Sequence, residues 1–378
     1  TVNDAGLENG AMLYLEVDET QIGVHEKASR TSRVITKDGN IVAQEYHATA
    51  ATAGFRPGML PLRSMKMHWT LNEFNELDSQ FEYKIKRQEE TVCKKVSLDA
   101  SSLGDFQQYM WNFDYRKMRV GYLYGYFNEE HNVKVEFIYE PPQECTDTSF
   151  DLLDDPHQEH VDMIANVLQM RKVGWIFAHP PREEGFFLSN LEVITAAEQQ
   201  LEAANGVEET PFVTVKVTVG EDNNVHVEGF QVSLQCMDMV AESVLQVGTH
   251  PGVCAINPTF TAIVEGRGAK EVDNNFFLTV VPIEQHESKL LISTFPPANR
   301  DGVVRGQADM KKQFSRLGKN GWRFIDLISD FQFLLYLCDL LDVKHDLPVI
   351  CNTILNKGEI PLDEGYVLII RSLAGLDD

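Results

Sequence analysis

A few histidine, serine and acidic residues have the side chains that metal-dependent hydrolysis requires. His179 stands beside Pro180 directly after the run VGWIFA, and the pattern Ser189-x-x-Glu192 follows. A catalytic zinc ion needs three protein ligands and one open position for the water that it activates. One imidazole supplies a single ligand, and Ser-x-x-Glu is also the pattern of a helix capping box. The spacing therefore predicts neither a bound metal nor another cofactor.

The other potential metal ligands do not predict a metal site either. His157 and His160 have a spacing that would permit metal binding, but no second cluster accompanies them, and a solvated helix start is the preferred interpretation. The six cysteines contain no C-x-x-C pair, so neither a zinc ribbon nor a dense disulfide framework is indicated. Such cysteine usage is typical of a reducing compartment.

The charge of the chain indicates which partners to expect. Its 378 residues carry a formal net charge of −24, which repels phosphate backbones and anionic lipid. Nucleic acid is therefore not expected as the main partner, and proteins are. No apolar run approaches the roughly 18 residues of a membrane-spanning helix. The sequence opens at Thr1 and not at Met, so we expect a fragment of a longer protein.

Hydrophobic periodicity predicts both helices and strands. Thr70 and Glu73 form a capping box, and apolar residues recur at helical spacing as far as Ile85, which predicts an amphipathic helix packed on the next domain. Hairpin and helix patterns between residues 118 and 247 predict one α/β domain. The run from Ile325 to Leu341 is apolar on nearly every side, which predicts a single buried helix.

Several long strings, in order and spacing, resemble the nuclear protein localisation protein 4 family. They are GYLYGYF from Gly121, FIYEPPQ from Phe137, RKVGWIF from Arg171, FFLSNLEVITAA from Phe186, EGFQVSLQCM from Glu228, EVDNNFFL from Glu271, TFPPANRD from Thr294 and ISDFQFLL from Ile328. The resemblance covers residues 101–378 and parts of the preceding segment.

Part of this resemblance concerns the zinc-binding turn of MPN-type isopeptidases, where Gly-Trp leads into His-x-His-Pro and then Ser-x-x-Asp. Here Phe177 stands at the first histidine position and His179 at the second. Ser189 and Glu192 stand for the serine and aspartate, at a longer spacing, and Met118 replaces the glutamate that polarises the zinc-bound water. The resemblance implies an MPN domain that has lost its metal site and has no catalytic residue.

The resemblance also implies an α+β domain layout. An MPN (JAMM-like) α/β domain is expected over residues 101–247, followed over 248–378 by a mixed α/β C-terminal domain that ends in helices. Residues 70–100 are expected to be a helical segment packed on the MPN domain, 18–69 a linker or extended arm, and 1–17 the remnant of a ubiquitin-like domain. Animal and fungal members carry cysteine-rich zinc fingers before the MPN domain, whereas this region holds only Cys93.

The function that the resemblance implies is recruitment without catalysis. The protein is expected to bind polyubiquitinated substrates and to deliver them to the valosin-containing-protein type AAA ATPase for proteasomal degradation. The ubiquitin fusion degradation cofactor is the expected companion of the protein on this ATPase. It is expected in cytoplasm and nucleus, and peripherally at the endoplasmic reticulum membrane. Gln231, Thr294, Phe295 and Arg300 lie in the best-matching strings and are the candidate substrate contacts.

Two alternatives stay open at this point. An MPN-type zinc isopeptidase with rearranged ligands is disfavoured by Met118, Phe177 and the longer serine spacing. A purely architectural MPN scaffold would need no affinity for ubiquitin. Composition does not separate the scaffold from the adaptor, and only the family resemblance favours the adaptor.

Overall fold

A computed structural model describes residues 33–35, 41–43, 82–182, 185–220 and 223–376 of the chain. Its strands are β1 Arg33–Ile35, β2 Ile41–Ala43, β3 Glu82–Lys84, β4 Val96–Asp99, β5 Arg119–Phe127, β6 Val133–Tyr139, β7 Gln143–Cys145, β8 Phe150–Leu152, β9 Arg171–Ala178, β10 Val213–Val219, β11 Val225–Val232, β12 Leu245–Val247, β13 Val253–Ile256, β14 Thr261–Val264, β15 Arg267–Ala269, β16 Glu271–Asp273, β17 Leu278–Val281 and β18 Ile283–His286. Its α-helices are α1 Ala100–Trp111, α2 Gln158–Val167, α3 Asn190–Ala204, α4 Leu234–Ala241, α5 Gln307–Phe314, α6 Phe324–Ile328, α7 Phe331–Leu337, α8 Asp346–Leu355 and α9 Glu364–Leu373. The structure is thus mixed α/β.

One eight-stranded sheet, in the order β17-β11-β10-β9-β5-β6-β4-β18, organises the described part of the chain. Pro282 alone separates β17 from β18, although these two strands stand at opposite ends of that order. Consecutive Cα atoms are about 3.8 Å apart, so both ends of the sheet must meet at this proline and the sheet curls round on itself. Proline has no N–H for a strand ladder, and the chain changes partner here from β11 to β4.

Three apolar clusters hold helices against this sheet. Helix α1 places Phe106 against strand residues such as Ile176. Helices α3 and α4 cover a second region, which contains Trp175. In the third cluster, the ring of Phe331 on α7 stacks on Phe137 of β6 with centroids 3.8 Å apart. The sheet and the C-terminal helices therefore share one core.

The prediction of a helical segment over residues 70–100 is wrong in its described part. Residues 70–81 lie outside the described ranges, while β3 is a strand paired in parallel with β14, and β4 joins the main sheet. Tyr83 and Ile85 are both buried. Tyr83 and Ile85 are two residues apart, which is the spacing of side chains on one face of a strand. Ile85 therefore belongs to this strand-like pattern and not to the predicted helix.

The structure also changes other predicted boundaries. Within the predicted linker over 18–69, β1 and β2 pair antiparallel, and the rest of that segment, like residues 1–17, lies outside the described ranges. The main sheet contains strands from both sides of the domain boundary expected after residue 247, because β17 and β18 follow that residue and the other six strands precede it. The sheet therefore does not end at the predicted boundary. The predicted helix over 325–341 is two helices, α6 and α7, because the Asp330 side chain caps α7 at its first N–H groups.

Candidate functional site

The residues that the resemblance names as degenerate metal-site positions come together at one end of the main sheet. Arg119 at the start of β5 is the register partner of Ala178 at the end of β9. Met118 and His179 therefore extend from the same end of two neighbouring strands. Met118 and Phe177 are buried in the cluster beneath α3, with 1% and 0% of their surfaces exposed. Neither side chain can serve as a general base, and an aromatic ring fills the first histidine position.

Helix α3 begins at this site with the predicted capping box. The Glu192 N–H donates to Ser189 Oγ over 3.3 Å, and the Ser189 N–H donates to Glu192 Oε2 over 2.9 Å. The sequence interpretation of these two residues as helix-start residues is confirmed. Both carboxylate oxygens of Glu192 also accept hydrogen bonds from the Arg182 guanidinium, one of them over 2.7 Å.

The charge of the buried carboxylate is thus balanced by an arginine. Glu192 has 0% of its surface exposed, and burial alone would raise the pKa of its carboxyl. The hydrogen bonds and the charge of Arg182 outweigh burial and hold that pKa below its ordinary value. The carboxylate is therefore ionised at neutral pH and needs no metal ion as counter-charge.

His179 is a neutral, buried imidazole. Burial, with the nearby positive charge of Arg182, lowers its pKa to about 4. Its Nδ1 lies 2.6 Å from the Pro180 carbonyl oxygen, so the proton resides on Nδ1 and donates to that oxygen. Its Nε2 is buried and has no hydrogen-bond partner among the described residues. The imidazole ring stacks on the ring of Phe177. The lone pair of Nε2 is all that this side chain offers a ligand.

These residues do not fit a zinc ion. Zinc sites in enzymes use three protein ligands, and within the described ranges no three His, Cys, Asp or Glu side chains are placed to hold a metal. His157 and His160 do not add one: their ring centroids are 6.0 Å apart, and His157 Nδ1 lies 3.9 Å from Asp339 Oδ1. The site at the end of β9 therefore contains an ion pair and a neutral imidazole.

A cavity of about 220 Å³ opens beside Met118, and its lining includes Lys117, Glu144 and Cys145. Burial raises the pKa of the Cys145 thiol to about 11. A thiol attacks as its thiolate, so this cysteine stays protonated and unreactive at neutral pH. The cavity supplies no activated nucleophile.

The four predicted substrate contacts do not form one exposed groove. Gln231 is 2% exposed, and its amide is fully used, because it donates to the carbonyls of Thr210 and Phe212 and accepts from the Cys93 N–H. Phe295 is 3% exposed in the core with the C-terminal helices. Their surroundings are those of structural residues.

Thr294 and Arg300 lie on the same segment as Phe295. Thr294 is exposed, and its hydroxyl donates to Gln313. Arg300 is 9% exposed and is held by Glu140 and by Asp105, whose carboxylate lies 2.9 Å from a guanidinium nitrogen. Of the predicted contacts, Thr294 is the one residue that is exposed, although its hydroxyl bonds inward to Gln313.

A buried charge network joins the sheet to this segment, and sequence reasoning missed it. Glu140, after β6, accepts a bond of 2.6 Å from Arg119 and one of 2.9 Å from Arg300. Both guanidinium groups also lie over the ring of Tyr109, at 5.1 and 4.5 Å from its centroid. The strings FIYEPPQ and TFPPANRD contain two of these charges, but no spacing rule pairs residues so far apart.

A second feature that the sequence did not reveal is the outer face of α9. Leu368 and Ile369 are 66% and 47% exposed, and Ile360 just before the helix is 66% exposed. Ile370 on the opposite side is fully buried. Apolar residues thus lie on both the buried and the exposed side of α9, whereas a helix packed on a core through one face usually has polar residues on the other.

Fold and site together define a mixed α/β protein in which a buried arginine–glutamate pair lies beside the end of β9, with no metal-ligand set among the described residues. Comparison with known proteins agrees with the sequence strings. A sequence model of the NPL4 family matches residues 119–267. NPL4-like protein 2 of Arabidopsis thaliana is 35% identical over 302 residues, which are 77% of this chain and 70% of that protein. The chain belongs to the NPL4 family.

Other relatives extend this similarity. NPL4-like protein 1 of Arabidopsis thaliana is 32% identical over 353 residues, covering 91% of this chain and 82% of that protein. The human nuclear protein localization protein 4 homolog is 30% identical over 295 residues, covering 63% of this chain and 47% of that protein. The name of the human relative refers to nuclear protein localisation, and none of these three names states an enzymatic activity. Among the helices of the described residues, none has the length and apolar character to cross a membrane.

Proposed function

We propose that the chain is a non-catalytic adaptor that binds polyubiquitinated substrates and passes them to an AAA ATPase of the valosin-containing-protein type. The observation that carries this proposal is the Arg182–Glu192 pair at the hydrolase-like position, beside Met118 and Phe177. A position that has neither a general base nor a metal-ligand set supports capture without cleavage. On this basis the chain is an MPN pseudo-hydrolase.

The surface that suits ubiquitin best is the outer face of α9. Leu368, Ile369 and Ile360 expose apolar area beside the acidic residues Glu359 and Glu364. An apolar patch with an acidic rim fits a small protein that presents an apolar patch with a basic rim. Strand addition at the main sheet is the less suitable mode, because that sheet curls until its ends meet at Pro282.

The remaining parts of the proposal rest on family membership. We propose the ubiquitin fusion degradation cofactor as the companion of this chain on the motor, and neither nucleic acid nor a membrane-spanning anchor as part of its action. The proposed locations are cytoplasm and nucleus, with peripheral recruitment to the endoplasmic reticulum membrane in quality control. The net charge of −24 supports protein partners over polyanions.

The test is a titration of the purified 378-residue chain with polyubiquitin, with and without a zinc chelator, in which cleavage is followed in the same samples. We expect binding that the chelator does not change, and no cleavage. Leu368→Glu should weaken binding about tenfold or more, because it places a charge in the apolar contact. Val280→Glu is the matched control, since Val280 is 67% exposed, like Leu368, but lies on strand β17 of the main sheet.

The other outcomes separate the alternatives. Cleavage that the chelator abolishes would establish a zinc isopeptidase and overturn the adaptor. No binding by a folded chain would favour an architectural scaffold. Binding that Leu368→Glu leaves unchanged would keep the adaptor but remove α9 as its ubiquitin surface.

A further inference from the structure

A cluster of positive charge stands out on this acidic protein. The segment 311–323 (KKQFSRLGKNGWR) contains five basic residues and no acidic one, in a chain whose net charge is −24. Four of them, Lys311, Lys312, Arg316 and Lys319, form what we call the basic corner. In a chain with so large an acidic excess, a local reversal of charge indicates a specific electrostatic role.

The structure presents the basic corner to solvent on a fixed backbone. Lys311 and Lys312 are exposed on the last turn of α5, and Lys319 is exposed in the turn that follows. This turn is closed by a 3.0 Å bond from the Gly318 N–H to the Trp322 carbonyl. Gly318 has a φ of +74°, a conformation that glycine adopts without strain.

Arg316 stands between the helix and the turn. Its guanidinium carbon lies 6.0 Å from the centroid of the Trp322 ring, at the outer limit of a cation–π contact. The indole is partly exposed. The corner thus combines four cations with one accessible aromatic surface.

None of these four cations is neutralised by an ion pair within the described ranges. The nearest acidic side chains in sequence are used elsewhere: Asp309 accepts the Gly306 N–H at the start of α5, and Asp326 binds Arg323. Favourable charge at a helix C-terminus accounts for Lys311 and Lys312. It does not account for Lys319, which lies beyond the helix.

We propose that the basic corner is a docking surface for a short acidic peptide segment of a partner protein. From Lys311 to Arg316 the chain rises about 8 Å along a helical path, and the turn adds to that span. An extended acidic segment of four to six residues, at about 3.3 Å per residue, spans about 13 to 20 Å, which is longer than the helical part of the corner and leaves length for the turn. A longer polyanion such as RNA would reach beyond the corner by more than the Debye length of about 8 Å, so the basic residues would no longer attract its outer phosphates. Those phosphates would lie near the rest of the protein, whose net charge is negative, and would be repelled.

The test is fluorescence anisotropy of the full chain with a labelled twelve-residue peptide that contains six consecutive Asp and Glu residues. Binding should weaken severalfold when salt rises from 50 to 300 mM, because the contact is between exposed charges. Lys311→Glu/Lys312→Glu should weaken it about tenfold. Arg267→Glu/Lys270→Glu is the matched control, since it makes the same charge change at exposed positions on and beside β15 and should leave binding within about twofold.

Lys319→Glu gives an independent check, because it lies outside α5 and cannot act through helix stability. It should weaken binding by severalfold while far-UV circular dichroism stays unchanged. Equal loss in the corner and control variants would overturn the proposal, since it would show a response to net charge alone. No binding at 50 mM salt would also overturn it, as would a 20-nucleotide single-stranded RNA that binds the corner more tightly than the peptide.

Discussion

At the scale of single residues, the site at the end of β9 shows how a buried carboxylate can be kept ionised without a metal. Glu192 is fully buried, and its partner Arg182 has 19% of its side chain exposed. A buried charge that loses its partner is costly, because the remaining ion has neither water nor counter-charge. The stability of this site therefore depends on Arg182.

Arg182→Ala should lower the free energy of unfolding by about 3 to 5 kcal/mol, the range found when one partner of a buried pair is removed. Arg182→Met/Glu192→Leu should recover most of this loss, because it removes both charges. Urea unfolding followed by tryptophan fluorescence measures the effect, with Arg116→Ala as control at an exposed ion pair. A loss no larger than the control's would contradict the structural role of the pair.

His179 gives a pH-dependent prediction at the same scale. Its pKa is about 4 when folded and near 6.5 when unfolded, so the unfolded chain binds the extra proton between these values. Stability contributed by the neutral imidazole is complete above pH 6.5 and is lost as the pH falls towards 4, by up to about 3 kcal/mol.

His179→Asn keeps a donor near Pro180 but cannot be protonated. The gap in unfolding free energy between wild type and variant should therefore shift against the wild type by about 2 to 3 kcal/mol from pH 7 to pH 4.5. Urea titrations at both pH values measure it. Parallel pH profiles would show that His179 does not titrate as its burial requires.

At the scale of elements, the break between α6 and α7 shows what hydrophobic periodicity cannot reveal. The pattern from Ile325 to Leu341 predicts one helix, yet both carboxylate oxygens of Asp330 accept backbone N–H groups. The donors are Thr294, Phe295, Gln332 and Phe333, at 2.7 to 3.2 Å. Two of these come from a distant segment, so the break depends on a tertiary contact that the local sequence does not encode.

Asp330→Asn should destabilise the fold by about 2 to 4 kcal/mol, because one acceptor becomes a donor that faces backbone N–H groups. Asp363→Asn is the matched control: Asp363 caps α9 from an exposed position, where asparagine caps equally well. Thermal unfolding of the two variants compares them directly. A similar small effect in both would mean that Asp330 acts only as a local helix cap.

Other elements were accessible from sequence for a physical reason. The capping box at Ser189 and Glu192 and the strands of the 118–247 region follow from short-range patterns, and they are confirmed. The curl of the sheet at Pro282 and the strand β3 are settled by pairing between distant segments. The sequence strings drew attention to Glu192, but its partner follows only from the path of the loop that carries Arg182.

At the scale of the whole molecule, apolar and charged contacts together join the sheet to the C-terminal helices. Phe331 stacks on Phe137, and Glu140 binds arginines from both sides of this junction, Arg119 on β5 and Arg300 beyond the sheet. Glu140 is 3% exposed. Its carboxylate accepts from both arginines. Without this carboxylate, two buried positive charges would lie close together with no shared counter-charge.

Glu140→Ala should therefore cost about 3 to 5 kcal/mol, and the loss should not spread evenly. Removal of the junction should let residues 291–300 and α7 open before the sheet does, which hydrogen exchange measures as faster amide exchange there than in β5 and β9. Glu144→Ala, at an exposed position on β7, controls for the loss of a carboxylate. If exchange in Glu140→Ala rises equally in sheet and helices, the shared apolar core alone holds them together, and the buried network adds stability without determining which part opens first.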